Sequence, residues 1–353
     1  MRTPVAILGA TGMVGQVFVR LLADHPWFEP AELIASPELA GRPYGEAVSW
    51  LGADPIPTEL AARPLVAAPE RLISPIAFSA LGHEPASELE ERYADAGTWV
   101  FSNASTHRMA PDVPLVVPEI NAEHLAMAPE QDRPGAIVTN PNCSTVGLTL
   151  ALAPLRRFGI ARVSVVSLQA RSGAGLRDGE LLELEDDVVP FIGGEEDKLM
   201  IESRKVLGRL SSTLTIDEAH LTVSATCTRV PVTHGHSLCV SVELERPFGA
   251  TELEAAWFDF RARPQELGLP TAPARPVLLV DEPDGPRPAR ELPRLEGGMA
   301  IAIGRVRPEP LFDTERGHGL RFVTLSHNLI RGAAGGSLLN AELCRATGIL
   351  PAG

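Results

Sequence analysis

The sequence has little cysteine: only four residues among 353, and no two of them stand at the C-x-x-C spacing of zinc sites and redox motifs. They are Cys143, Cys227, Cys239 and Cys344. Scattered cysteines encode neither a disulfide framework nor a metal centre, so we expect no bound metal. All except Cys143 lie in apolar segments, where a free cysteine is usually a small buried hydrophobic residue.

Basic residues are also scarce. There are 31 Lys and Arg against 45 Asp and Glu, which gives a net charge of -14 and a pI near 5.2. Nucleic acids and anionic membranes attract clustered Lys and Arg, and the sequence contains no such cluster. This excludes both as partners, so any acidic substrate must be bound by individually placed basic residues.

Long hydrophobic runs are absent as well, because the longest apolar stretches are strand-sized rather than the 18 or so residues of a membrane span. The first residues, Met1 to Pro4, lead into an apolar strand without the hydrophobic region of a signal peptide. We therefore expect a soluble cytoplasmic protein. With 44% hydrophobic residues, the chain can fill one large core or two ordinary ones.

The first half of the chain alternates short β-rich runs with helical patterns, as in a parallel sheet covered by helices on both faces. From residue 162 the runs become longer and alternate in polarity, which favours an antiparallel sheet with one packed face and one open face. Two domains are predicted, with a boundary near residue 142. Strands are expected at 5–8, 33–35, 76–78, 99–101, 137–139, 163–168, 221–226, 238–242, 299–306 and 320–325, and helices at 14–23 and about 333–347.

A glycine-rich loop, Gly9-Ala10-Thr11-Gly12-Met13-Val14-Gly15, joins the first predicted strand to the first predicted helix. Glycine lets the backbone approach a pyrophosphate, and the helix N-terminus offers free N–H groups and the positive end of its dipole. In this context the GxxGxxG spacing favours a dinucleotide site over an ordinary tight turn. The second strand ends at Ser36, near Glu38 and Arg42. Glu38 suits the ribose of NAD, whereas Ser36 with Arg42 suits the 2′-phosphate of NADP, and both charges could simply be solvated.

Cys143 differs from the other cysteines, because Asn, Ser and Thr surround it where a predicted strand gives way to a helical pattern. A helix N-terminus favours the thiolate and lowers the pKa of a thiol. The pattern therefore predicts that Cys143 is a nucleophile.

The run 140–145, Asn-Pro-Asn-Cys-Ser-Thr, together with the glycine loop, resembles aspartate-β-semialdehyde dehydrogenases of the archaeal and fungal branch. The resemblance extends over essentially the whole chain. Further matching segments are 102–105 with Arg108, 169–175, 194–198, 229–232 with 235–236, and 327–328 with 331–336.

This resemblance implies an NADP-dependent enzyme, with NAD as a possible substitute, that converts an acyl phosphate to an aldehyde through a thioester. The reaction belongs to the biosynthesis of lysine, threonine and methionine. Cys143 would be the nucleophile, His236 a general acid/base, and Gln169 would orient the acyl intermediate. Only the match of Gly235-His236 selects His236 over the nearby His234.

The substrate implied by the resemblance, L-aspartyl-4-phosphate, carries an ammonium, an α-carboxylate and a phosphate. Arg229 would bind the carboxylate in a bidentate manner, and Arg108 with Lys198 would hold the phosphate. Glu195 would bind the ammonium. Considered alone, each of these residues would be read as a solvated surface charge, and Glu195 and Lys198 have the spacing of an ordinary helical ion pair.

The resemblance further implies an α/β fold: a Rossmann-like dinucleotide-binding domain over residues 1–142 and a mixed α/β catalytic and dimerisation domain over 143–327. A C-terminal helix at about 328–353 would complete the first domain, and the chain would form a homodimer or homotetramer. The implied cofactor contacts are Gly9, Thr11, Gly12, Met13, Val14, Ser36, Arg42, Ser172, Gly173 and Asn328.

Some residues depart from the family pattern. Pro37 to Leu39 occupy a loop that usually contributes a small hydroxyl to the cofactor, and Arg171, Thr106 and His107 replace other residue types. One alternative is a malonyl-CoA reductase-like enzyme that reduces an acyl-CoA thioester. The other is a non-catalytic nucleotide-binding paralogue, although the chain retains Cys143 and His236.

Overall fold

The computed structural model describes residues 2–52, 54–177, 180–313 and 318–351. The strands are β1 (Thr3–Leu8), β2 (Phe28–Ala35), β3 (Val66–Ala67), β4 (Ile76–Ser79), β5 (Trp99–Ser102), β6 (Ala136–Thr139), β7 (Ile160–Gln169), β8 (Leu176–Arg177), β9 (Glu180–Leu181), β10 (Arg209–Leu210), β11 (Ile216–Asp217), β12 (Thr222–Arg229), β13 (His236–Leu244), β14 (Val277–Val280), β15 (Ile301–Pro308) and β16 (His318–Ser326).

The α-helices are α1 (Met13–Leu22), α2 (Tyr44–Ala47), α3 (Thr58–Ala61), α4 (His83–Asp95), α5 (Pro118–Asn121), α6 (Cys143–Leu152), α7 (Glu195–Val206), α8 (Ala250–Phe258), α9 (Arg263–Glu266), α10 (Pro288–Glu291) and α11 (Gly335–Ala346). Short 3₁₀ segments lie at Pro37–Leu39, Ala122–Glu130, Ala153–Phe158, Arg171–Ala174 and Leu292–Arg294, and a π-helical turn at Ile330–Ala334. Among the described residues, no helix is long and apolar enough to cross a membrane.

The first sheet has six parallel strands in the order β3-β2-β1-β4-β5-β6. This arrangement confirms the predicted α/β class. Strand β2 begins at Phe28, five residues before the predicted start. The prediction missed its first residues because Glu29 and Glu32 interrupt the apolar pattern. The carboxyl ends of these strands lead into the glycine loop and the segments that carry Arg108 and Cys143, which is where parallel sheets place their ligands.

The C-terminal helix packs on this first sheet. Helix α11 is buried over most of its length, and Leu338 and Leu339 belong to the same apolar cluster as Phe18 and Phe78. The helix is preceded by the π-helical turn, which the sequence pattern had not distinguished from the helix itself. Such turns are rare in proteins, and many of those that occur lie at functional sites.

The second sheet also has six strands, in the order β12-β7-β13-β16-β15-β14. It is mixed, so the expectation of antiparallel pairing is wrong at two pairs: β12 runs parallel to β7, and β14 runs parallel to β15. In both cases the connection contains a helix, α7 or α10, which lets the chain cross over and return in the same direction.

One face of the second sheet is packed and the other is open. Val165 and Val240 point into the core, whereas Val166 is 40% exposed and Cys239 lies on the same open side. The prediction that Cys239 is buried is therefore wrong, because an apolar strand of an open sheet still presents alternate residues outward. Cys227 and Cys344 are buried as predicted.

Candidate active site

The glycine loop follows β1 directly. Gly9 has φ +75°, and a Cβ there would stand 3.0 Å from the carbonyl oxygen of Ala80. Gly12 is the N-cap of α1, and no side chain caps that helix. The first N–H groups of α1 are therefore left for a ligand, which fits the pyrophosphate of a dinucleotide.

Cys143 is the first residue of α6, and the turn before it is fixed by Asn142. The Asn142 side-chain oxygen accepts the backbone N–H of Ser144 at 2.9 Å. On the opposite side lies the π-helical turn, since a Cβ on Gly332 would stand 2.6 Å from Cβ of Cys143. Asn140 donates to the carbonyl oxygen of Gly332 at 3.1 Å and holds this turn in place.

The thiol of Cys143 is protonated at neutral pH in the free protein, contrary to the prediction of a lowered pKa. Burial and, second, the carboxylate of Glu195 raise the pKa of Cys143 to about 12. The charges of Arg108 and Arg229 and the N–H of Ser144 oppose this increase without overcoming it. Desolvation of the thiol therefore outweighs the two arginines and the hydrogen bond that favour the thiolate.

His236 begins β13 and is fully buried. Its Nδ1 accepts the backbone N–H of Ala170 at 3.0 Å, while its Nε2 has no hydrogen-bond partner among the described residues. Burial, and then the charge of Arg229, lower the pKa of His236 to about 3. The ring is thus neutral at physiological pH, and because Nδ1 is an acceptor its proton lies on Nε2.

Glu195, the first residue of α7, accepts hydrogen bonds from three polar side chains. Its Oε2 accepts Asn142 Nδ2 at 2.8 Å and Gln169 Nε2 at 3.4 Å, and its Oε1 accepts Lys198 Nζ at 3.0 Å. Burial alone would raise the pKa of this carboxyl, but Lys198 and the two amides lower it overall. Glu195 is therefore an anion within reach of the turn that carries Cys143.

Two buried arginines flank this cluster. Arg229 ends β12 directly beside Gln169 of β7, and its Nη1 donates to the carbonyl oxygen of Ala170 at 2.7 Å. Arg108 lies on the segment after β5, where its Nη2 donates to the carbonyl oxygen of Asn103 at 2.7 Å. Both are less than 8% exposed, so they are not the solvated charges that the sequence alone suggested.

Gly173 packs closely against two of the predicted site residues. A Cβ on this glycine would stand 2.7 Å from Nη1 of Arg229 and 3.0 Å from Nε2 of His236. Asn328 fixes the same loop, because its Nδ2 donates to Ser172 Oγ at 2.9 Å and its Oδ1 accepts the N–H of Gly235 at 2.9 Å. The loop is therefore held closely against His236 and Arg229, and a side chain at position 173 would displace one of them.

The structure brings the predicted catalytic and substrate-binding residues together and leaves two predicted cofactor residues apart from them. Ser36 and Arg42 are exposed on the segment after β2, beyond the glycine loop. Arg42 donates to the carbonyl oxygen of Glu46 at 3.0 Å. Between them, Glu38 is an anion whose pKa is lowered by its own backbone N–H and by the Ser36 hydroxyl.

Two charged residues of α7 were missed by the sequence reasoning. Glu202 accepts hydrogen bonds from both Arg108 and the Asn142 backbone, and Lys205 donates to three carbonyl oxygens of the segment that carries Arg108. Their spacing from Glu195, seven and ten residues, places all three on one face of the helix. That spacing was a usable signal in the sequence.

Comparison with known proteins gives matches over nearly the whole chain. Residues 4–128 match the family model described as semialdehyde dehydrogenase, NAD binding domain, and residues 152–331 match its dimerisation domain. An aspartate-semialdehyde dehydrogenase of Archaeoglobus fulgidus is 45% identical over 97% of this chain and 98% of its own length. That of Schizosaccharomyces pombe is 40% identical, with coverage of 98% and 99%.

A solved structure has the same fold over nearly its whole length. The aspartate semialdehyde dehydrogenase of Candida albicans, determined with NADP, superimposes with a TM-score of 0.89 at 34% identity. The alignment covers 98% of this chain and 99% of that one.

Proposed function

This chain belongs to the aspartate-semialdehyde dehydrogenase family of oxidoreductases, and we propose that Cys143 is the residue that carries its acyl intermediate. The reaction is the reductive dephosphorylation of L-aspartyl-4-phosphate to L-aspartate-4-semialdehyde, in the biosynthesis of the aspartate-derived amino acids. The observation that carries the assignment of residues is the convergence of Cys143, His236, Glu195, Arg108 and Arg229 on one buried site.

In the first step Sγ of Cys143 forms a bond to the β-carbonyl carbon, and the bond from that carbon to the phosphate oxygen breaks. Because the thiol is protonated in the free protein, its proton leaves with the phosphate, which departs as hydrogen phosphate. The nicotinamide cofactor supplies the hydride that reduces the thioester. Cys143 then leaves the product as a thiolate and takes up a proton.

His236 acts through Nε2 in this proposal. Its Nδ1 faces the N–H of Ala170, so a second proton there would place two donors against each other. We therefore assign His236 the role of a neutral hydrogen-bond donor to the carbonyl oxygen as negative charge develops on it. This is narrower than the general acid/base role expected from the sequence.

The charged groups divide the substrate among them. In this proposal Arg229 binds the α-carboxylate and Glu195 binds the ammonium, while Arg108 with Lys198 binds the phosphate. Gln169, hydrogen bonded to Glu195, orients the acyl group on Cys143.

The family fold binds a nicotinamide dinucleotide, and we propose NADP as the preferred cofactor. Support comes from the relative determined with NADP and from Arg42, an exposed cation on the segment after β2, the strand that precedes the ribose contact in dinucleotide-binding folds. Gly9, Thr11, Gly12, Met13 and Val14 would hold the pyrophosphate, and Ser172, Gly173 and Asn328 the nicotinamide end.

The chain carries a dimerisation domain, and we propose that its open sheet face, with Val166 and Cys239, pairs two copies into a homodimer. The proposal is supported by the match to the dimerisation domain, which spans all six strands of this sheet, and by the exposure of Val166 on its open face. The cytoplasm is the proposed location, since a nucleophilic thiol needs a reducing compartment.

The proposal is tested by trapping the intermediate. Enzyme mixed with L-aspartate-4-semialdehyde and NADP without phosphate should retain an aspartyl group on the peptide that contains Cys143, detected by mass spectrometry after acid quench. The Cys143→Ser variant should not. A normal aldehyde oxidation without any adduct on Cys143 would overturn the assignment.

A further inference from the structure

We propose that Glu202 is a positioning residue that fixes the phosphate-binding Arg108 and the nucleophile turn of Cys143 relative to each other. The inference builds on the proposed function, since it concerns how the phosphate site is set against the attacking sulfur. Nothing in the sequence motifs assigned a role to this residue.

Both carboxylate oxygens of Glu202 are engaged, each by a different segment. Oε2 accepts the backbone N–H of Asn142 at 2.6 Å, and Oε1 accepts Nη1 of Arg108 at 3.0 Å. The side chain is 2% exposed. Hydrogen bonds in which at least one partner is charged, as in both contacts of Glu202, are stronger than those between neutral groups.

The two segments that Glu202 joins come from separate loops of the first sheet. Asn142 lies in the turn between β6 and α6, and Arg108 lies on the segment after β5. One helical turn further along α7, Lys205 donates to the carbonyl oxygens of Arg108, Ala110 and Val113 at 2.7, 2.9 and 3.0 Å. Lys205 thus holds the backbone of this segment, while Glu202 holds its guanidinium.

Arg108 keeps donors available after these contacts. Nη1 is directed to Glu202 and Nη2 to the carbonyl oxygen of Asn103, while Nε has no partner among the described residues. Glu202 therefore orients the guanidinium without consuming it, which leaves part of its fork for a phosphate.

A glutamine cannot reproduce this bridge. Its carboxamide has one acceptor oxygen and one NH₂ group, so one of the two donors, Asn142 N–H or Arg108 Nη1, would face another donor. The Glu202→Gln substitution keeps the shape of the side chain and breaks one half of the link.

The matched control is Glu342, another buried carboxylate. It accepts hydrogen bonds from the backbone N–H of Thr271 and from Nε2 of His25, and it is hydrogen bonded to none of the site residues. Glu342→Gln measures what loss of a buried carboxylate costs in stability alone. It should lower the thermal midpoint and leave the kinetic constants of the folded enzyme unchanged.

The experiment compares Glu202→Gln, Glu202→Asp and Glu342→Gln in the phosphorylating direction. For Glu202→Gln we expect the KM for inorganic phosphate to rise at least about tenfold, as loss of one charged hydrogen bond implies, with kcat reduced and the KM for the aldehyde within about twofold. Glu202→Asp, which retains the charge, should recover part of the phosphate KM. If Glu202→Gln behaves as Glu342→Gln does, the proposal is overturned.

Two further readouts keep the test decisive. If Glu202→Gln does not fold, Glu202→Asp alone decides: a raised phosphate KM supports the proposal and an unchanged one overturns it. If the wild-type protein shows no phosphate-dependent turnover, the proposed function has failed, and the rate of Cys143 alkylation by iodoacetamide then tests Glu202 separately. Relative to the wild type, that rate should change in Glu202→Gln and stay constant in Glu342→Gln. Equal rates in the wild type and both variants would overturn the proposal.

Discussion

The backbone N–H of Ala170 donates to Nδ1 of His236 at 3.0 Å, which determines where the single proton of that neutral ring resides. It must lie on Nε2, the atom that has no hydrogen-bond partner among the described residues. In the proposed mechanism, His236 therefore presents a donor to the reacting groups before any substrate arrives.

We predict that His236 does not titrate between pH 5 and 9. Burial lowers its pKa to about 3, so the ring stays neutral throughout that window. Nitrogen-15 NMR of histidine-labelled protein, with His236 assigned by its absence in His236→Asn, should show the Nε2–H tautomer at every pH. A His236 signal that titrates near pH 6.5 would contradict the donor role.

The donor role of His236 can also be tested by comparing the activities of two variants. His236→Gln places an amide NH₂ near the position of Nε2 and should retain more activity than His236→Ala. The alanine variant should lose about 10²–10³-fold in kcat, as removal of a donor to a developing oxyanion does. Equal losses in both variants would show that the donor is not what His236 contributes.

The reactivity of Cys143 should depend on Glu195. This carboxylate raises the pKa of the thiol, so Glu195→Gln should lower that pKa and increase the thiolate fraction below it. Alkylation of Cys143 by iodoacetamide at pH 8 should then be faster than in the wild type. Glu342→Gln, which changes a buried carboxylate away from the site, serves as the control and should leave this rate unchanged. A slower or unchanged rate would mean that Glu195 does not control the thiol.

Cofactor preference should depend on Arg42. Arg42→Ala should raise the KM for NADP about tenfold or more and leave the KM for NAD within about twofold, because only NADP carries the 2′-phosphate. The companion variant Glu38→Gln removes the neighbouring negative charge and should lower the KM for NADP. Equal changes for both cofactors would place Arg42 outside the 2′-phosphate site.

The buried ion pair between Arg331 and Glu119 should be important for stability. Both side chains are about 1% exposed or less, and Arg331 lies next to Gly332 in the π-helical turn against Cys143. Arg331→Ala should lower the apparent free energy of unfolding by about 3–5 kcal/mol in urea denaturation, because it leaves a buried charge unpaired. Arg2→Ala, which breaks the exposed pair with Glu29, should cost below about 1 kcal/mol.

The sequence was sufficient to predict the elements that depend on local pattern. The glycine loop between β1 and α1 and the start of α6 at Cys143 follow from short motifs whose turn chemistry is read directly from the residues. The α/β class follows from alternation of strands and helices. The parallel pairs in the second sheet could not be predicted in this way. When one face of a sheet is open, polarity alternates in the same manner along parallel and antiparallel strands.

Burial was the property that the sequence could not supply. It raises the pKa of Cys143 although the residue begins a helix, and it converts Arg108 and Arg229 from apparent surface charges into buried partners of the site. For Cys239 the error was the opposite one: the sequence predicted a buried residue that is exposed, since an apolar strand does not reveal which of its sides is covered. Glu202 depends on contacts 94 and 60 residues away, to Arg108 and Asn142, which no local pattern encodes.

The most direct test of the account is the phosphate-dependent reduction of NADP by purified protein with L-aspartate-4-semialdehyde, with Cys143→Ser as the control. We predict rapid turnover that requires phosphate and disappears in the variant, while the variant still binds the nucleotide. Absence of turnover in the wild type with nucleotide still bound would contradict the account, and activity with malonyl-CoA under the same conditions would replace the acyl phosphate by a CoA thioester as the substrate.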